Sequence, residues 1–354
     1  MRAIVVRDPG AADALQLEDV PLPPIGTHDV LIEVEACGVC FHDVVVRNGT
    51  LKRGVQIPVI PGHEVSGRVR QVGAEVRLFK TGDRVTTVQR SHVCGQCRYC
   101  RTDRESACAE RVMLGDVGLN GGYSEFVAVE EDNIALVPDE VPLDHAAIIA
   151  CAIGTQLNAI RDVAEVRAGD RVLITGAGGG LGIHGVQIAR FAGAEVIAVT
   201  TSPQKAEEIK RAGAHHVIVA ERGGDFSADV RAITGSEGVD VAIDNVGSAT
   251  FTSTRRSLGM GGRWIMVGQL SGEFVKLNPA QIFLQDLTIR SAKATSRRQL
   301  VDAIELVRRG AVKPMISASL PLDEAAHAHR LMESAAPTGR ILLKPSLRSS
   351  TPIA

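Results

Sequence analysis

The sequence lacks the features that mark several classes of protein. Its 39 Lys and Arg residues are balanced by 41 Asp and Glu residues, which gives a formal net charge of −2. Nucleic-acid-binding proteins usually carry a basic excess, so this balance argues against nucleic acid as a partner. The longest apolar run, residues 146–153, is far shorter than the roughly 18 residues that a membrane-spanning helix needs. We therefore predict neither nucleic-acid binding nor a membrane segment.

From the first residues of the sequence we also expect no secretory leader. These residues, MRAIVVRD, carry charges where a leader would be apolar. The sequence has seven cysteines, an odd number. Without an export signal, disulfides are disfavoured, and metal ligation or thiol chemistry becomes the leading interpretation. We predict a cytoplasmic protein that acts on small molecules.

The length and the hydrophobic pattern predict two domains. A chain of 354 residues suits two domains better than one core. Up to about residue 150, short alternating segments broken by glycine and proline predict a largely antiparallel β domain. Beyond residue 153, nearly continuous apolar runs alternate with helical segments, which is typical of a doubly wound parallel sheet. The runs cover residues 171–175, 195–200, 216–219, 239–243 and 263–267.

Four of the cysteines are clustered at a spacing that zinc favours. They form the pattern Cys94-x2-Cys97-x2-Cys100-x7-Cys108. Zn²⁺ takes tetrahedral sulfur ligands, and a Cys-x2-Cys turn brings two thiolates to one ion with little strain. The alternative is a set of buried free thiols that lie close by chance. We predict a structural zinc in a lobe over about residues 90–112, with a closed ligand shell that leaves no position for chemistry.

A second set of residues suited to metal binding is dispersed along the chain. Cys40 precedes His42 and Asp43, and Gly62 precedes His63 and Glu64, whereas Cys151 lies much later. Two thiolates and an imidazole, from Cys40, His63 and Cys151, could hold a zinc ion with one position open. Taken alone, isolated Cys and His residues are more often ordinary packing residues.

A glycine-rich turn follows the apolar run 171–175 and precedes a predicted helix. Its residues are Gly176, Gly178, Gly179, Gly180, Leu181 and Gly182. Glycines in such a turn let the backbone approach a pyrophosphate at the helix N-terminus. The register is not a strict G-x-G-x-x-G, and any tight strand-to-helix connection can use glycine. The position of the turn between a strand and a helix nevertheless predicts dinucleotide binding.

The end of the next strand bears on which dinucleotide binds. A carboxylate for the ribose normally lies about twenty residues after the turn. Thr200, Thr201 and Ser202 stand there instead, with Lys205 just after them. Hydroxyls and a cation suit a 2′-phosphate, which favours NADP(H) over NAD(H). The alternative is that these residues end the strand and cap the helix, with Lys205 solvated.

Together these residues resemble the zinc-containing medium-chain dehydrogenase/reductase family, the alcohol dehydrogenases, over nearly the whole chain. The resemblance implies an α/β fold with a GroES-like, mainly β catalytic domain, residues 1–152 and 292–354. A Rossmann domain with a doubly wound parallel sheet, residues 153–291, is inserted in it. A homodimer or homotetramer is also implied. The motifs are Cys37-Gly-Val-Cys40, Gly62-His-Glu-x2-Gly67, the four-cysteine lobe, Gly82-Asp-Arg-Val85 and the glycine turn.

The resemblance also implies roles for particular residues. Cys40, His63 and Cys151 match the three ligands of a catalytic zinc, so that two zinc ions are expected per chain. Glu64 matches an acid beside the metal, and Asp43 a carboxylate that orients the ligand histidine. Such a zinc polarises a carbonyl or alkoxide oxygen while hydride moves to or from the nicotinamide. Residues implied beside the cofactor are Thr155, Val246, Gly247, Val267 and Gly268.

One departure from the family pattern concerns proton transfer. Family alcohol dehydrogenases usually carry Ser or Thr two residues after the first zinc cysteine, where this chain has His42. Many members place a relay histidine three residues further on, and this chain has Val45. His42 could exchange the proton itself, since its unperturbed pKa is about 6.5. It could also donate hydrogen bonds to a larger acyl or phosphate group, or fill a wall.

Three functions follow. The preferred one is zinc-dependent interconversion of an alcohol with an aldehyde or ketone. The second is NADPH-dependent reduction of an enoyl C=C bond, because residues 180–185, 199–202, 260–263 and 292–296 look similar to acryloyl-CoA reductase-like members. The third is a non-catalytic dinucleotide-binding protein, since fold alone does not prove function. Retention of Glu64, Asp43 and all three candidate ligands argues against the third.

Overall fold

The computed structural model describes residues 1–347, which form two compact units. Of the described residues, the first unit contains Met1–Gly154, Ala294–Arg308 and residues 316–347. The second unit contains Thr155–Lys293 and Arg309–Met315. In this part of the chain no helix combines the length and the apolar character needed to cross a membrane.

The N-terminal part of the first unit is mainly β-structure. Its strands are β1 (Arg2–Val5), β2 (Gln16–Asp19), β3 (Asp29–Val39), β4 (Glu64–Val72), β5 (Arg84–Thr87), β6 (Arg90–His92), β7 (Val112–Met113), β8 (Phe126–Glu130) and β9 (Ile134–Leu136). Two short helices, α1 (Phe41–Arg47) and α2 (Leu143–Ala147), interrupt the strands. A π-helical segment, Ile149–Gly154, ends this part.

The second unit alternates strands and helices. It begins with α3 (Thr155–Leu157) and a π-helical segment, Asn158–Val163. Its strands are β10 (Arg171–Ile174), β11 (Glu195–Thr200), β12 (His216–Val219), β13 (Val239–Asp244), β14 (Leu258–Met266) and β15 (Thr288–Ser291). Its helices are α4 (Gly182–Phe191), α5 (Ala206–Arg211), α6 (Ser227–Ile233), α7 (Phe251–Ser257) and α8 (Ala280–Phe283). The C-terminal elements of the chain are α9 (Arg297–Arg308), β16 (Ile316–Pro321), α10 (Ala325–Glu333) and β17 (Arg340–Lys344).

The main sheet of the first unit is built around the long strand β3. The strand order is β16-β17-β3-β4-β5-β9, and β8 also pairs with β3. All pairs are antiparallel except β16 with β17. Alternation in β3 turns Val30, Ile32 and Val34 into the core, where all three are buried. Burying each such side chain contributes about 1.5–3 kcal/mol.

The sheet of the second unit is parallel throughout, in the order β12-β11-β10-β13-β14-β15. Renumbered within the unit, this is the 3-2-1-4-5-6 order of a Rossmann fold. Its central strands are buried on both faces, as their apolar runs predict. The strand order reverses between β10 and β13, and dinucleotides bind at the carboxyl ends of the strands at such a point. The α/β fold class predicted from the sequence is confirmed.

One segment lies with a different unit from the one that the sequence suggests. Residues 309–315 belong to the second unit. The backbone N–H of Met315 donates to Nε2 of His184 at 2.9 Å, and Lys313 exchanges two hydrogen bonds with the Gln187 side chain. These contacts hold the segment on α4. The exact domain limits stay a prediction.

Candidate functional site

The four clustered cysteines converge in the first unit. The Sγ atom of Cys100 lies 3.5 Å from that of Cys97 and 3.9 Å from that of Cys94. The Sγ atoms of Cys94 and Cys108 are 3.6 Å apart. Zn–S bonds of about 2.3 Å in a tetrahedron separate the sulfurs by about 3.8 Å. The spacing of these thiols therefore fits one zinc ion and is far too long for disulfide bonds.

Arg90 is a buried residue that contacts the four-cysteine lobe. Its side chain is 1% exposed and donates from Nη1 to the carbonyl of Thr295 at 2.8 Å. Its Nη2 lies 3.7 Å from the carboxylate of Glu105 inside the lobe. A buried guanidinium there also offsets the negative charge that four thiolates bring.

The candidate ligands that are dispersed along the sequence lie together in the first unit, and each is positioned by a different local structure. Cys40 is the N-cap of α1, and a capping box joins it to Asp43. His63 precedes β4 directly after Gly62, which has φ +99° and whose Cβ would lie 2.5 Å from the Tyr123 ring. Only glycine fits that position, because both the conformation and the space exclude a side chain. Cys151 lies in the π-helical segment Ile149–Gly154, a feature often found at functional sites.

One ligating atom from each of Cys40, His63, Glu64 and Cys151 lies within 4.8 Å of the others. The two Sγ atoms are 4.0 Å apart. All four residues are buried. Thiolate, imidazole and carboxylate are the donors that zinc prefers, and this spacing fits one ion. The sequence-predicted ligands are therefore brought together.

Asp43 fixes the orientation of His63. Its Oδ1 lies 3.0 Å from Nδ1 of His63, and its Oδ2 accepts from the backbone N–H of Cys40 at 2.9 Å. Burial opposes ionisation, but the neighbouring His63 outweighs it and lowers the pKa of Asp43. An ionised Asp43 accepts a hydrogen bond from the Nδ1–H group of His63, which keeps the proton on Nδ1 and leaves the lone pair of Nε2 for a metal.

Arg340 is a site residue that the sequence did not single out. It is 3% exposed, and its Nη2 lies 2.8 Å from Oε1 of Glu64. The same Nη2 donates to the thiols of Cys40 and Cys151 at 3.5 and 3.6 Å. Burial raises the pKa of Glu64 to about 7, although Arg340 opposes that shift. A cation within the apolar strand segment 340–344 is the signal that could have identified it.

A second residue missed from the sequence is Asp116, which binds His42. Its Oδ1 lies 2.7 Å from Nε2 of His42, and its side chain is only 6% exposed. The His42 ring lies edge-to-face with that of His63, with 5.1 Å between centroids. Burial lowers the pKa of His42, but Asp116 outweighs it and the net shift is upward. Asp116 lies between turn glycines with no recognisable motif, so no sequence signal pointed to it.

In the second unit, the glycine turn joins β10 to α4 as predicted. Gly176 has φ +61°, a left-handed conformation. A Cβ on Gly182 would lie 2.2 Å from the carbonyl oxygen of Gly176, and one on Gly178 would lie 2.6 Å from the Lys205 side chain. Gly179, Gly180 and Leu181 complete the turn. The turn therefore requires Gly176 for its conformation and Gly178 and Gly182 for close packing within the protein.

The other predicted cofactor residues lie at the carboxyl ends of neighbouring strands. Thr200 ends β11, and Thr201 and Ser202 follow it. Val246 and Gly247 follow β13, and Val267 and Gly268 follow β14. Thr155 begins α3, which packs on α4. This edge of the sheet is where open α/β folds bind ligands.

Asp244 lies where the strand order of the second unit reverses, and it accepts hydrogen bonds from residues near both strands. Its Oδ1 accepts hydrogen bonds from the Thr175 and Thr250 hydroxyls at 2.8 and 3.0 Å. It also accepts from the backbone N–H groups of Val246 and Gly247, both at 3.1 Å. One buried carboxylate therefore ties β10 to the loop after β13, and it too was missed from the sequence.

Comparison with known proteins agrees with this architecture. The family described as "Alcohol dehydrogenase GroES-like domain" matches residues 26–139, and "Zinc-binding dehydrogenase" matches residues 180–309. The acryloyl-coenzyme A reductase of Sulfurisphaera tokodaii is 34% identical over 98% of this chain and all of that protein. An NAD-dependent alcohol dehydrogenase of the same organism is 34% identical over 94% of this chain and 96% of that protein.

A solved structure extends the likeness to three dimensions. The crystal structure of AibC superposes with a TM-score of 0.90 at 43% identity, over 98% of this chain and 96% of that one. The family models, the relatives and the solved structure agree with the fold. The chain belongs to the zinc-binding medium-chain dehydrogenase/reductase family, the family of the alcohol dehydrogenases, and is an oxidoreductase.

Proposed function

We propose that this protein is a zinc-dependent NAD(P)(H) oxidoreductase that interconverts an alcohol with an aldehyde or ketone by hydride transfer. The convergence of Cys40, His63 and Cys151 around one point carries the proposal. Three protein ligands leave one position of a tetrahedral zinc open, which is the arrangement of catalytic rather than structural sites. The four-cysteine lobe would hold a second, structural zinc, so that two ions bind per chain.

Each residue of the site has its own proposed role. Cys40, His63 and Cys151 would hold the zinc, which when bound stabilises negative charge on a substrate oxygen. Asp43 orients His63 through Nδ1. Arg340 holds the Glu64 carboxylate by an ion pair of 2.8 Å, while Asp116 holds His42. His42 would exchange the proton of the alcohol in place of the usual hydroxyl relay.

The proposed cofactor is NADP(H) rather than NAD(H). Lys205 is 8% exposed and lies against Gly178 of the glycine turn. Burial lowers the pKa of Lys205 below that of an ordinary lysine, although the neighbouring Glu208 opposes that shift. Thr201 and Ser202 at the end of β11 offer hydroxyls next to this cation. Hydroxyls and a lysine at the end of this strand are groups that suit a 2′-phosphate.

Removing this cation tests the cofactor proposal. We expect Lys205→Ala to raise the KM for NADPH by about 10- to 100-fold, because a hydrogen bond to a charged group contributes about 1.5–3 kcal/mol. The KM for NADH should change much less. Initial rates with each cofactor measure both values, and Lys210→Ala, an exposed lysine on α5, is the control. An equal change with both cofactors would contradict the assignment.

Variants of His42 and Asp116 test the proton-transfer role. We expect His42→Ala to lower kcat by about 100-fold, because a positioned acid–base group contributes about 10²–10⁴. Asp116→Ala should give a smaller loss alone and almost none in the His42→Ala background, since it acts through His42. Steady-state kcat for the four proteins measures this coupling. A histidine that merely fills a wall would leave kcat unchanged with zinc content intact.

Reduction of an enoyl C=C bond is the second candidate. Two observations favour it: the relative named acryloyl-coenzyme A reductase and a His42–Asp116 pair where simple alcohol dehydrogenases carry a hydroxyl. In that reaction hydride goes to the β-carbon and His42 gives a proton to the α-carbon. Turnover of matched saturated aldehydes and enoyl thioesters with NADPH separates the two candidates.

A further inference from the structure

A line of buried hydrogen-bonding side chains leads from His63 to the surface of the first unit. None of its inner members is a candidate metal ligand, and most come from segments distant in sequence. Asp43, Tyr123, His329 and Arg47 are each no more than 2% exposed. The line ends at Glu333, whose side chain is 38% exposed. Beyond Asp43, no role in hydride transfer described above uses these residues.

Each neighbouring pair in this line is in hydrogen-bonding contact. The Tyr123 hydroxyl lies 3.2 Å from Oδ2 of Asp43 and 3.0 Å from Nε2 of His329. Nδ1 of His329 lies 3.5 Å from Nη1 of Arg47. Arg47 in turn makes two hydrogen bonds to the Glu333 carboxylate, at 2.7 and 3.2 Å.

The chemistry of the two ends sets the direction of every hydrogen bond between them. A guanidinium only donates, so Nδ1 of His329 accepts from Arg47. A neutral imidazole then carries its proton on Nε2, which donates to the Tyr123 oxygen. Burial lowers the pKa of His329 to about 4, consistent with the neutral form. The Tyr123 hydroxyl is thereby left to donate to Asp43, and Asp43 to accept from Nδ1 of His63.

We propose that Tyr123 and His329 are positioning residues for the proposed zinc site. They hold Asp43 as an oriented acceptor, which keeps the proton of His63 on Nδ1 and its Nε2 lone pair toward the metal. This inference rests on the proposed function only in requiring that Cys40, His63 and Cys151 bind zinc. It adds two residues that affect zinc binding through Asp43. Because His329 lies on α10, the packing of that helix also affects the geometry of the site.

Loss of the Tyr123 hydroxyl tests this arrangement with the smallest possible change. We expect Tyr123→Phe to weaken zinc binding at the Cys40/His63/Cys151 site by about tenfold, the lower end of the range for outer-shell partners. The four-cysteine lobe should keep its zinc affinity and serves as an internal reference. Competition with a chromogenic chelator measures both affinities without any use of activity. Tyr99→Phe makes the same chemical change in the lobe and is the matched control.

A second variant tests whether the residues act in series. His329→Leu should weaken zinc binding at the Cys40/His63/Cys151 site by a similar factor. The Tyr123→Phe/His329→Leu double variant should bind this zinc no more weakly than the weaker-binding of the two single variants. His327→Leu, an exposed histidine on the same helix, is the control. Should His329→Leu fail to fold, Tyr123→Phe alone decides.

The outcomes separate this inference from the proposed function. A wild-type protein that binds no zinc at the Cys40/His63/Cys151 site overturns both. A wild type with two zinc ions and a Tyr123→Phe variant of unchanged affinity overturns only the positioning role. An equal loss of affinity at both zinc sites also overturns it, because that would be general destabilisation rather than an effect carried by Asp43.

Discussion

Replacement of Cys151 by serine is expected to lower kcat/KM for carbonyl reduction by about a thousandfold and the zinc content from two ions per chain to one. Zinc contributes several kcal/mol to charge stabilisation in the transition state, and each 1.36 kcal/mol is tenfold in rate. Serine lacks the soft thiolate that holds the ion. Steady-state kinetics together with elemental analysis of the same preparation measure both quantities.

A matched control for this change exists in the chain. Cys37 is also buried, and it lies three residues before Cys40 but outside both groups of candidate ligands. Cys37→Ala should keep two zinc ions and most of the activity. If Cys151→Ser retained two zinc ions, or lost one with little effect on turnover, Cys151 would not be a ligand of a catalytic metal.

Replacement of Cys100 by serine is expected to empty the other zinc site and to unfold its lobe locally. Structural zinc contributes apparent binding free energies of about 10–16 kcal/mol in zinc-finger peptides. A lobe held by four sulfurs and few apolar contacts therefore opens readily without its ion. We expect proteolytic cleavage within residues 90–112 to accelerate by about 100-fold or more, which corresponds to a loss of about 3 kcal/mol. Limited proteolysis followed by mass mapping measures this.

The effect should remain confined to the lobe. The second unit has its own parallel sheet and core. The far-UV circular dichroism spectrum and the dinucleotide binding of Cys100→Ser should therefore remain close to those of the wild type. Cys37→Ala again provides the control. An unchanged cleavage rate with two zinc ions retained would show that the four thiols are a chance cluster.

The sequence predicted those features that depend on neighbouring residues along the chain. The Cys-x2-Cys spacing brings thiols together through local turns, and they do converge. Buried strands of a parallel sheet are apolar on both faces, so the runs at 171–174 and 239–243 were recognisable as strands β10 and β13. The glycine turn was recognisable because its position between strand and helix is itself sequential.

The rest of the site depends on contacts between distant segments. Asp116 reaches His42 from 74 residues away, and Arg340 reaches Glu64 from the C-terminal strand. Tyr123 and His329 meet although 206 residues separate them. A single histidine or tyrosine in a sequence is more often a packing residue than part of a site. Only the topology, which lays β17 and α10 against the start of the chain, gives these side chains their partners.

The position of 309–315 shows the same limit at the level of domains. The sequence predicts a helix near α9 that leads toward a final strand of the first unit, and no local pattern assigns residues 309–315 to the second unit. The place of this segment there depends on hydrogen bonds to His184 and Gln187. Those partners lie on α4, more than a hundred residues earlier.

The proposed role of a zinc ion held by Cys40, His63 and Cys151 is to stabilise negative charge on the substrate oxygen during hydride transfer at a C–O bond. Its most direct test is NADPH-dependent turnover of a saturated aldehyde and its enoyl thioester counterpart by one preparation of known zinc content. We predict two zinc ions per chain and turnover of the aldehyde that disappears when the zinc at the Cys40/His63/Cys151 site is lost. One zinc ion per chain with turnover of the enoyl thioester alone would contradict the claim.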